Sequence, residues 1–382
     1  MKYLIIQFGI AVLNVIYFFI KLCPIQKNKV TFISRQGNDI PIDFQMIIEE
    51  FKKEEKEIKT VMLCKELNDG IKNKIQYFFY MFKQMYHIAT SKVVILDGYC
   101  IPVCILKQKK DLVVIQIWHA LGSLKKFGYS TLDLEDGRNG KMAKTMKMHK
   151  NYTYILTSSK TSKQFFREAF DAKEEQMKVM NLPRVDFLQS EEAKKKVIEK
   201  FHQVYPEANN QKKNILYCPT KRKDMQLKIE DMAKQIPFER YNFIVKLHDG
   251  TEILYVDEQK IEKGKSFIGL ELLHVADYIV TDYSAIVFEA AITQKPIYFY
   301  AFDYGAYMHN RGTYINYEKE MPGFICKNFS EIIKLIEQNK YDAGKIKKFC
   351  NKYIENIERN ATDDLFNFIL TIMKGEKHAK SI

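Results

Sequence analysis

His119 and His248 each follow a short apolar run, Leu112-Val113-Val114-Ile115-Gln116-Ile117 and Asn242-Phe243-Ile244-Val245-Lys246-Leu247 respectively. An imidazole, with an ordinary pKa near 6.5, can take a proton from a hydroxyl at neutral pH; once protonated it can hold a phosphate oxygen. His119, followed by Gly122, Lys125 and Lys126, is therefore the candidate base. The competing reading makes it a structural histidine with both ring nitrogens on backbone groups. His248, two residues after Lys246, is expected to be charged and to screen the negative charge that builds up during phosphoryl transfer. The other histidines (His87, His149, His202, His274, His309 and His378) end no such run and read as solvated or capping groups.

A second cluster, Asp282-Tyr283-Ser284-Ala285-Ile286-Val287-Phe288-Glu289, reads as a strand end, a turn and a helix start with Ser284 as N-cap. Free backbone N–H groups and the helix dipole there would seat a diphosphate without a glycine-rich loop. Glu289 is expected either to accept from ribose hydroxyls or to be an ordinary helix residue. Arg184, Arg222 and Arg311 are loop arginines in a lysine-rich chain, and a planar guanidinium suits bidentate phosphate contacts. Lys141, Lys144, Lys147 and Lys150 recur every three residues, as a solvated face or a contact for anionic lipid. There is no P-loop, G-x-G-x-x-G, G-x-S-x-G or H-E-x-x-H, and Asp133-Leu134-Glu135-Asp136-Gly137 departs from the calcium-loop spacing. Chemistry without a metal or cofactor is expected.

The elements that must position these groups are short β-rich runs alternating with longer amphipathic stretches. In the first half they are Val30–Ser34, Thr60–Cys64, Lys92–Leu96, Leu112–Ile117 and Tyr154–Thr157; in the second, Asn214–Cys218, Asn242–Leu247, Asp277–Thr281 and Lys295–Tyr300. Such runs predict parallel strands buried on both faces, and hence two doubly wound α/β domains facing a cleft. Ligands bind outside the carboxyl ends of strands in such sheets, which is where the polar clusters fall. Polar, helix-prone residues 190–211 separate the halves, and residues 330–373 read as helix alone. The expected division is residues 1–24 as a membrane-associated helix, 25–189 as an acceptor-side domain and 190–382 as a donor-binding domain.

Tyr3 to Ile20 is uncharged, with Gln7 and Asn14 its strongly polar residues, and is close to the minimum length for a span. It lacks a small-residue cleavage site and so reads as a retained anchor. Gln7, Asn14 and Lys21 share one helical stripe, which suits a helix lying on the membrane somewhat better than one crossing it. Lys21, Lys27, Lys29 and Arg35 follow it, which places the remaining chain on the cytoplasmic face. Sixty Lys+Arg against 47 Asp+Glu leave a net charge of +13, suited to an anionic membrane surface or a phosphorylated substrate. A single Trp and no aromatic-basic stripe argue against a nucleic-acid partner. Seven scattered cysteines encode neither a disulfide framework nor a zinc site.

Taken in order, the clusters resemble the CDP-glycerol glycerophosphotransferase family, the teichoic acid primase and polymerase enzymes. The resemblance is carried by Trp118-His119-Ala120-Leu121-Gly122 with Lys125-Lys126-Phe127-Gly128, then Leu182-Pro183-Arg184-Val185-Asp186, Tyr217-Cys218-Pro219-Thr220-Lys221-Arg222, Lys246-Leu247-His248, Ala276–Ser284, Lys295-Pro296 and Arg311-Gly312-Thr313-Tyr314. Departures are Ala120 for a usual Gly, Lys221 for a frequent Trp, Asp249 for a usual Pro and Glu289 near a position often Asp. The resemblance implies a GT-B-type fold of two Rossmann-like domains and a peripheral membrane habit. It also implies transfer of glycerol phosphate from CDP-glycerol to a hydroxyl of a lipid-linked saccharide or growing polymer, releasing CMP. His119 and His248 match the family histidines. Substrate contacts are expected from Arg184, Thr220, Arg222, Lys246, Thr281, Asp282, Ser284, Ala285, Glu289 and Arg311. The alternatives are a ribitol-phosphate transferase using CDP-ribitol and a GT-B nucleotide-sugar glycosyltransferase.

Overall fold

Strands buried on both faces need helices on both sides of a sheet, and this chain builds two such sheets. The computed structural model describes residues 1–54, 57–134, 137–222, 225–310 and 312–375, with the side chains at 226 and 227 left out. The first sheet comprises β1 (Gln26–Ser34), β2 (Lys59–Cys64), β3 (Ser91–Leu96), β4 (Val113–Gln116), β5 (Tyr154–Thr157) and β6 (Met177–Val179). Its order is β2-β1-β3-β4-β5-β6 and every pairing is parallel. The chain runs outward from β1 to β2 and then returns to β3 on the other side, so the topological switch point lies between β1 and β3.

The second sheet comprises β7 (Lys213–Cys218), β8 (Tyr241–Lys246), β9 (Glu252–Val256), β10 (Gln259–Ile261), β11 (Tyr278–Thr281), β12 (Ile297–Tyr300) and β13 (Phe324–Cys326). Its order is β10-β9-β8-β7-β11-β12-β13, with the switch point between β7 and β11. Here the all-parallel expectation needs correcting, because β9 and β10 add antiparallel to the β8 edge. The polar Gln259-Lys260-Ile261 carries none of the apolar signal of a doubly covered strand.

The chain divides into one unit of Met1–His119, Lys126–Pro183 and the residues from Asn356 onward, and another of Ala120–Lys125 and Arg184–Glu355. The expected boundaries differ from this in three ways. The division falls at Pro183/Arg184 rather than 189/190, a six-residue piece after His119 belongs to the second unit, and the last helix belongs to the first. That helix, Ala361–Lys374, is capped by Asn360 and stopped by Gly375 in the left-handed region. Its Phe366 ring packs 5.4 Å from Phe51 of helix α2 (Ile42–Lys53), and its Phe368 ring 5.1 Å from Tyr154. An amphipathic pattern states that a helix needs a partner without stating which one.

Helix α1 (Lys2–Ile20) is likewise part of the first unit rather than a separate segment. One face is pinned to the globular body. Asn14 donates to the Ile105 carbonyl and accepts from the Lys107 amide, Tyr17 donates to Gln108, and Lys21 to the Lys107 carbonyl. Tyr17 is completely buried among core side chains that include Leu106 and Val103. The opposite face carries Leu4, Ile5, Phe8, Val15 and Phe19, all exposed. Neighbouring helix α3 (Ile71–Thr90) adds exposed Ile71, Ile75, Phe78 and Phe79. The lysine stripe at 141–150 does not form one face, because the helix there ends at Thr145 and Lys147 and His149 adopt positive φ.

Candidate functional site

His119 follows β4 and is held from β3. Its Nδ1 lies 3.0 Å from the carbonyl oxygen of Asp97. A carbonyl only accepts, so Nδ1 carries the proton and the basic lone pair belongs to Nε2. The neighbouring Trp118 adopts φ 63°, an unusual conformation for a bulky residue, and its amide donates to Gln116 Oε1 at 2.9 Å. The same Gln116 side chain, fully buried, donates through Nε2 to the Gly98 carbonyl at 2.9 Å. One carboxamide thus ties the loop after β3 to the loop after β4, the two loops joined again by the His119–Asp97 bond. Ser34, at the end of β1, donates to the buried Asp97 carboxylate at 2.6 Å. Trp118 closes the arrangement, its ring 4.2 Å from His119 and 4.8 Å from Phe127.

The Ala120–Lys125 piece is anchored in the second unit. The Leu121 amide donates to Glu289, Leu124 accepts from the Tyr314 amide, and Lys125 forms an isolated antiparallel bridge with Thr313. Gly122 is required by a close approach, since a Cβ there would stand 2.6 Å from the Phe288 ring.

In the second unit, the switch point gathers Thr220, Arg222 and Asp282. Asp282 is fully buried and accepts from the Thr220 amide and hydroxyl at 2.8–2.9 Å, and from Arg222. Arg222 also grips Asp303 with two hydrogen bonds, at 2.7 and 3.1 Å. Tyr283 donates to Asp303 and stacks on Tyr307 with ring centroids 3.8 Å apart. Asp303, at the carboxyl end of β12, and Asp97, at that of β3, escaped the sequence reading, although the strand-end rule that selected the other residues also covers these two.

Several expected substrate contacts are instead spent inside the protein. Thr281 is fully buried and its hydroxyl donates to the Cys218 carbonyl, so it stands in the wall behind the site. Arg184 and Glu289 form a buried ion pair at 3.0 Å, and burial pushes the Glu289 carboxyl up while Arg184 opposes it. Lys246 binds the Gly250 carbonyl and Glu252, closing the loop that carries His248. Ser284 does not cap a helix. The helix begins at Ile286 with Ala285 as its boundary residue and no side-chain cap, because the turn extends further than the N-cap pattern suggests. The amides and the Ser284 hydroxyl of Ser284-Ala285 carry no partner among the described residues. Arg311 lies outside the described residues.

His248 sits exposed in the β8–β9 loop. Partial desolvation lowers its pKa below the ordinary value, and Lys125 and Lys221 add to the effect. The lowering acts against the standing imidazolium expected from the sequence and sets lysine charge beside the ring.

A family model described as CDP-Glycerol:Poly(glycerophosphate) glycerophosphotransferase matches residues 15–371. The chain belongs to this family. It is 33% identical over 305 residues to a teichoic acid glycerol-phosphate primase of Bacillus subtilis, covering 76% of each chain. It is 29% identical over 367 residues to a teichoic acid ribitol-phosphate primase of Bacillus spizizenii, covering 92% of this chain and 93% of that one. The structure of the wall teichoic acid polymerase TagF superposes with a TM-score of 0.71 at 18% identity, covering 97% of this chain and 98% of that chain. The fold is shared with TagF, and the chain is an enzyme of the teichoic acid phosphotransferase family.

Proposed function

We propose that the chain transfers glycerol phosphate from CDP-glycerol to a hydroxyl of a lipid-linked saccharide or a growing teichoic-acid-type polymer, releasing CMP at the cytoplasmic face of the cell membrane. The observation that carries this reading is the Nδ1–Asp97 bond, which makes Nε2 of His119 the proton acceptor. Nε2 takes the acceptor hydroxyl's proton as the oxygen bonds to the glycerol-bearing phosphorus. The bond from that phosphorus to the bridging oxygen breaks, and CMP departs with the electron pair. CMP is a stable leaving group, so what remains for the protein is deprotonation of the alcohol and screening of the diphosphate charge. Lys125, Lys221 and the N–H of a neutral His248 supply the second. The amides of Ser284 and Ala285 receive a phosphate, and Thr220 and Arg222 shape its seat on buried Asp282. Arg311 contributes to the same donor site.

The exposed apolar faces of α1 and α3 lie in the membrane interface, with the pinned face of α1 against the protein, which supports a monotopic rather than a spanning arrangement. The deciding experiment gives purified protein CDP-glycerol, CDP-ribitol and a nucleotide sugar, each with a lipid-linked saccharide, and records product masses. A product heavier by one glycerol phosphate, with stoichiometric CMP, is the expected result; transfer of sugar alone would refute the reading. Transfer of ribitol phosphate is the second reading, favoured by the near full-length match to a ribitol-phosphate primase.

A further inference from the structure

In a doubly wound sheet the crevice at the switch point is where ligands bind, and in the first unit this lies beyond the carboxyl ends of β1 and β3. Arg35 is the first residue after β1, and Tyr99 lies three residues after β3. Arg35 Nη1 donates to the Tyr99 carbonyl at 3.0 Å, with its guanidinium carbon 5.6 Å from the Tyr99 ring and 5.8 Å from the Tyr77 ring. Its Nε is buried without a hydrogen-bond partner. Arg167, Arg184, Arg222, Arg240 and Arg359 all pair with carboxylates. Among the described residues Arg35 and Arg138 pair with none. The Tyr99 hydroxyl is fixed on the Met146 carbonyl at 3.1 Å.

A guanidinium set over two tyrosine rings and, among the described residues, without a carboxylate partner is suited to bidentate recognition of a phosphate. Two further relations indicate which phosphate. Tyr99 follows by two residues the Asp97 whose carbonyl holds His119, so the site belongs to the loop that holds the base in place. Tyr77 belongs to α3, whose outer face presents Ile71, Ile75, Phe78 and Phe79, so the helix that stacks on Arg35 is also one that meets lipid in the proposed reading. We propose that Arg35 holds the phosphate that joins the acceptor saccharide to its lipid, placing the saccharide hydroxyl at His119.

This inference rests on the transferase reading, and its test separates the two. The probes are a disaccharide on a short-chain prenyl diphosphate and the same disaccharide as an alkyl glycoside lacking phosphate, both in neutral detergent. Arg35→Ala is expected to raise the apparent KM for the diphosphate acceptor roughly 10-fold more than that for the glycoside, with Arg35→Lys intermediate. Equal changes for both acceptors, or none, would overturn the proposal. A difference that emerges only when anionic vesicles are added would assign Arg35 to bulk headgroups and overturn it equally. Should Arg35→Ala fail to fold, the free prenyl diphosphate remains as a probe of the wild-type enzyme. Competition with the acceptor is expected, and competition with CDP-glycerol alone refutes the proposal. Absence of any transfer by the wild type ends the transferase reading, whereas normal transfer with an unchanged KM ratio ends only this inference.

Discussion

Arg184 and Glu289, 105 positions apart in the chain, meet as a buried ion pair 3.0 Å long, with side chains 8% and 2% exposed. Glu289 also accepts the Leu121 amide, so one carboxylate ties the helix that starts at Arg184 and the Ala120–Lys125 piece to the helix after β11. Removing one partner strands the other's charge, at a cost of about 3–5 kcal/mol. Glu289→Leu and Arg184→Met are each expected to lower the unfolding midpoint sharply, while the double variant recovers most of the loss. Calorimetry on the three proteins checks this, and additive losses would contradict it.

Gln116 acts on His119 without touching substrate. Gln116→Leu leaves the Gly98 carbonyl and the Trp118 amide without their partner and lets the His119 loop shift. The expected outcome is a roughly 100-fold fall in kcat, an unchanged KM for CDP-glycerol and a displaced acid limb of the pH–rate profile. A fall in stability with kcat and profile intact would reduce Gln116 to a structural role.

His119→Ala removes the proposed base and is expected to lower kcat by about 10²–10⁴-fold with donor affinity retained. The lowered pKa of His248 favours a neutral ring that offers an N–H rather than a charge. His248→Gln, which also offers an N–H, should therefore retain clearly more activity than His248→Ala. Equal activity of the two would mean that the ring's hydrogen bond is not used.

Phe8 and Phe19, 72% and 63% exposed, make no contribution to the core of the first unit. Changing both to Glu should leave the melting temperature unchanged while abolishing flotation with phosphatidylglycerol vesicles. Retained flotation would remove α1 from the membrane interface.

Acid should weaken the first unit. Burial pushes the His149 imidazole down to about 3, with Arg138 and Lys150 adding to the effect, and His87 moves the same way to about 4. A histidine whose folded pKa is depressed leaves stability intact above its unfolded value near 6.5; below it the unfolded chain takes up a proton that the folded chain refuses. His149 alone then removes about 2 kcal/mol between pH 6.5 and pH 5. Unfolding midpoints at pH 7 and pH 5 should show this loss, and His149→Phe should flatten it.

The strand-end positions of the candidate residues were legible because polar residues at such ends in a doubly wound sheet have few structural reasons to be there. His119, Thr220, Arg222, His248 and Asp282 were all selected this way; the run Asn214–Cys218 became β7 nearly unchanged, and Val30–Ser34 became the second half of a longer β1. What each residue faces was not legible. Thr281 looked like a binding group until its hydroxyl was seen to be spent on Cys218, and Arg184 and Glu289 looked like two ligands of a substrate rather than of each other. The helix 361–374 looked like the end of the second half and packs on the first.

The sequence by itself determined the two parallel-sheet series, the candidate acid–base groups and the apolar length of α1, because local periodicity and residue type act within a few neighbours. Only the tertiary structure decided which nitrogen of His119 is basic, that the His248 pKa is lowered and that Arg35 has no carboxylate partner among the described residues. A proton's position, a burial cost and an ion pair are set by residues tens of positions away, which only the folded chain brings within hydrogen-bonding distance.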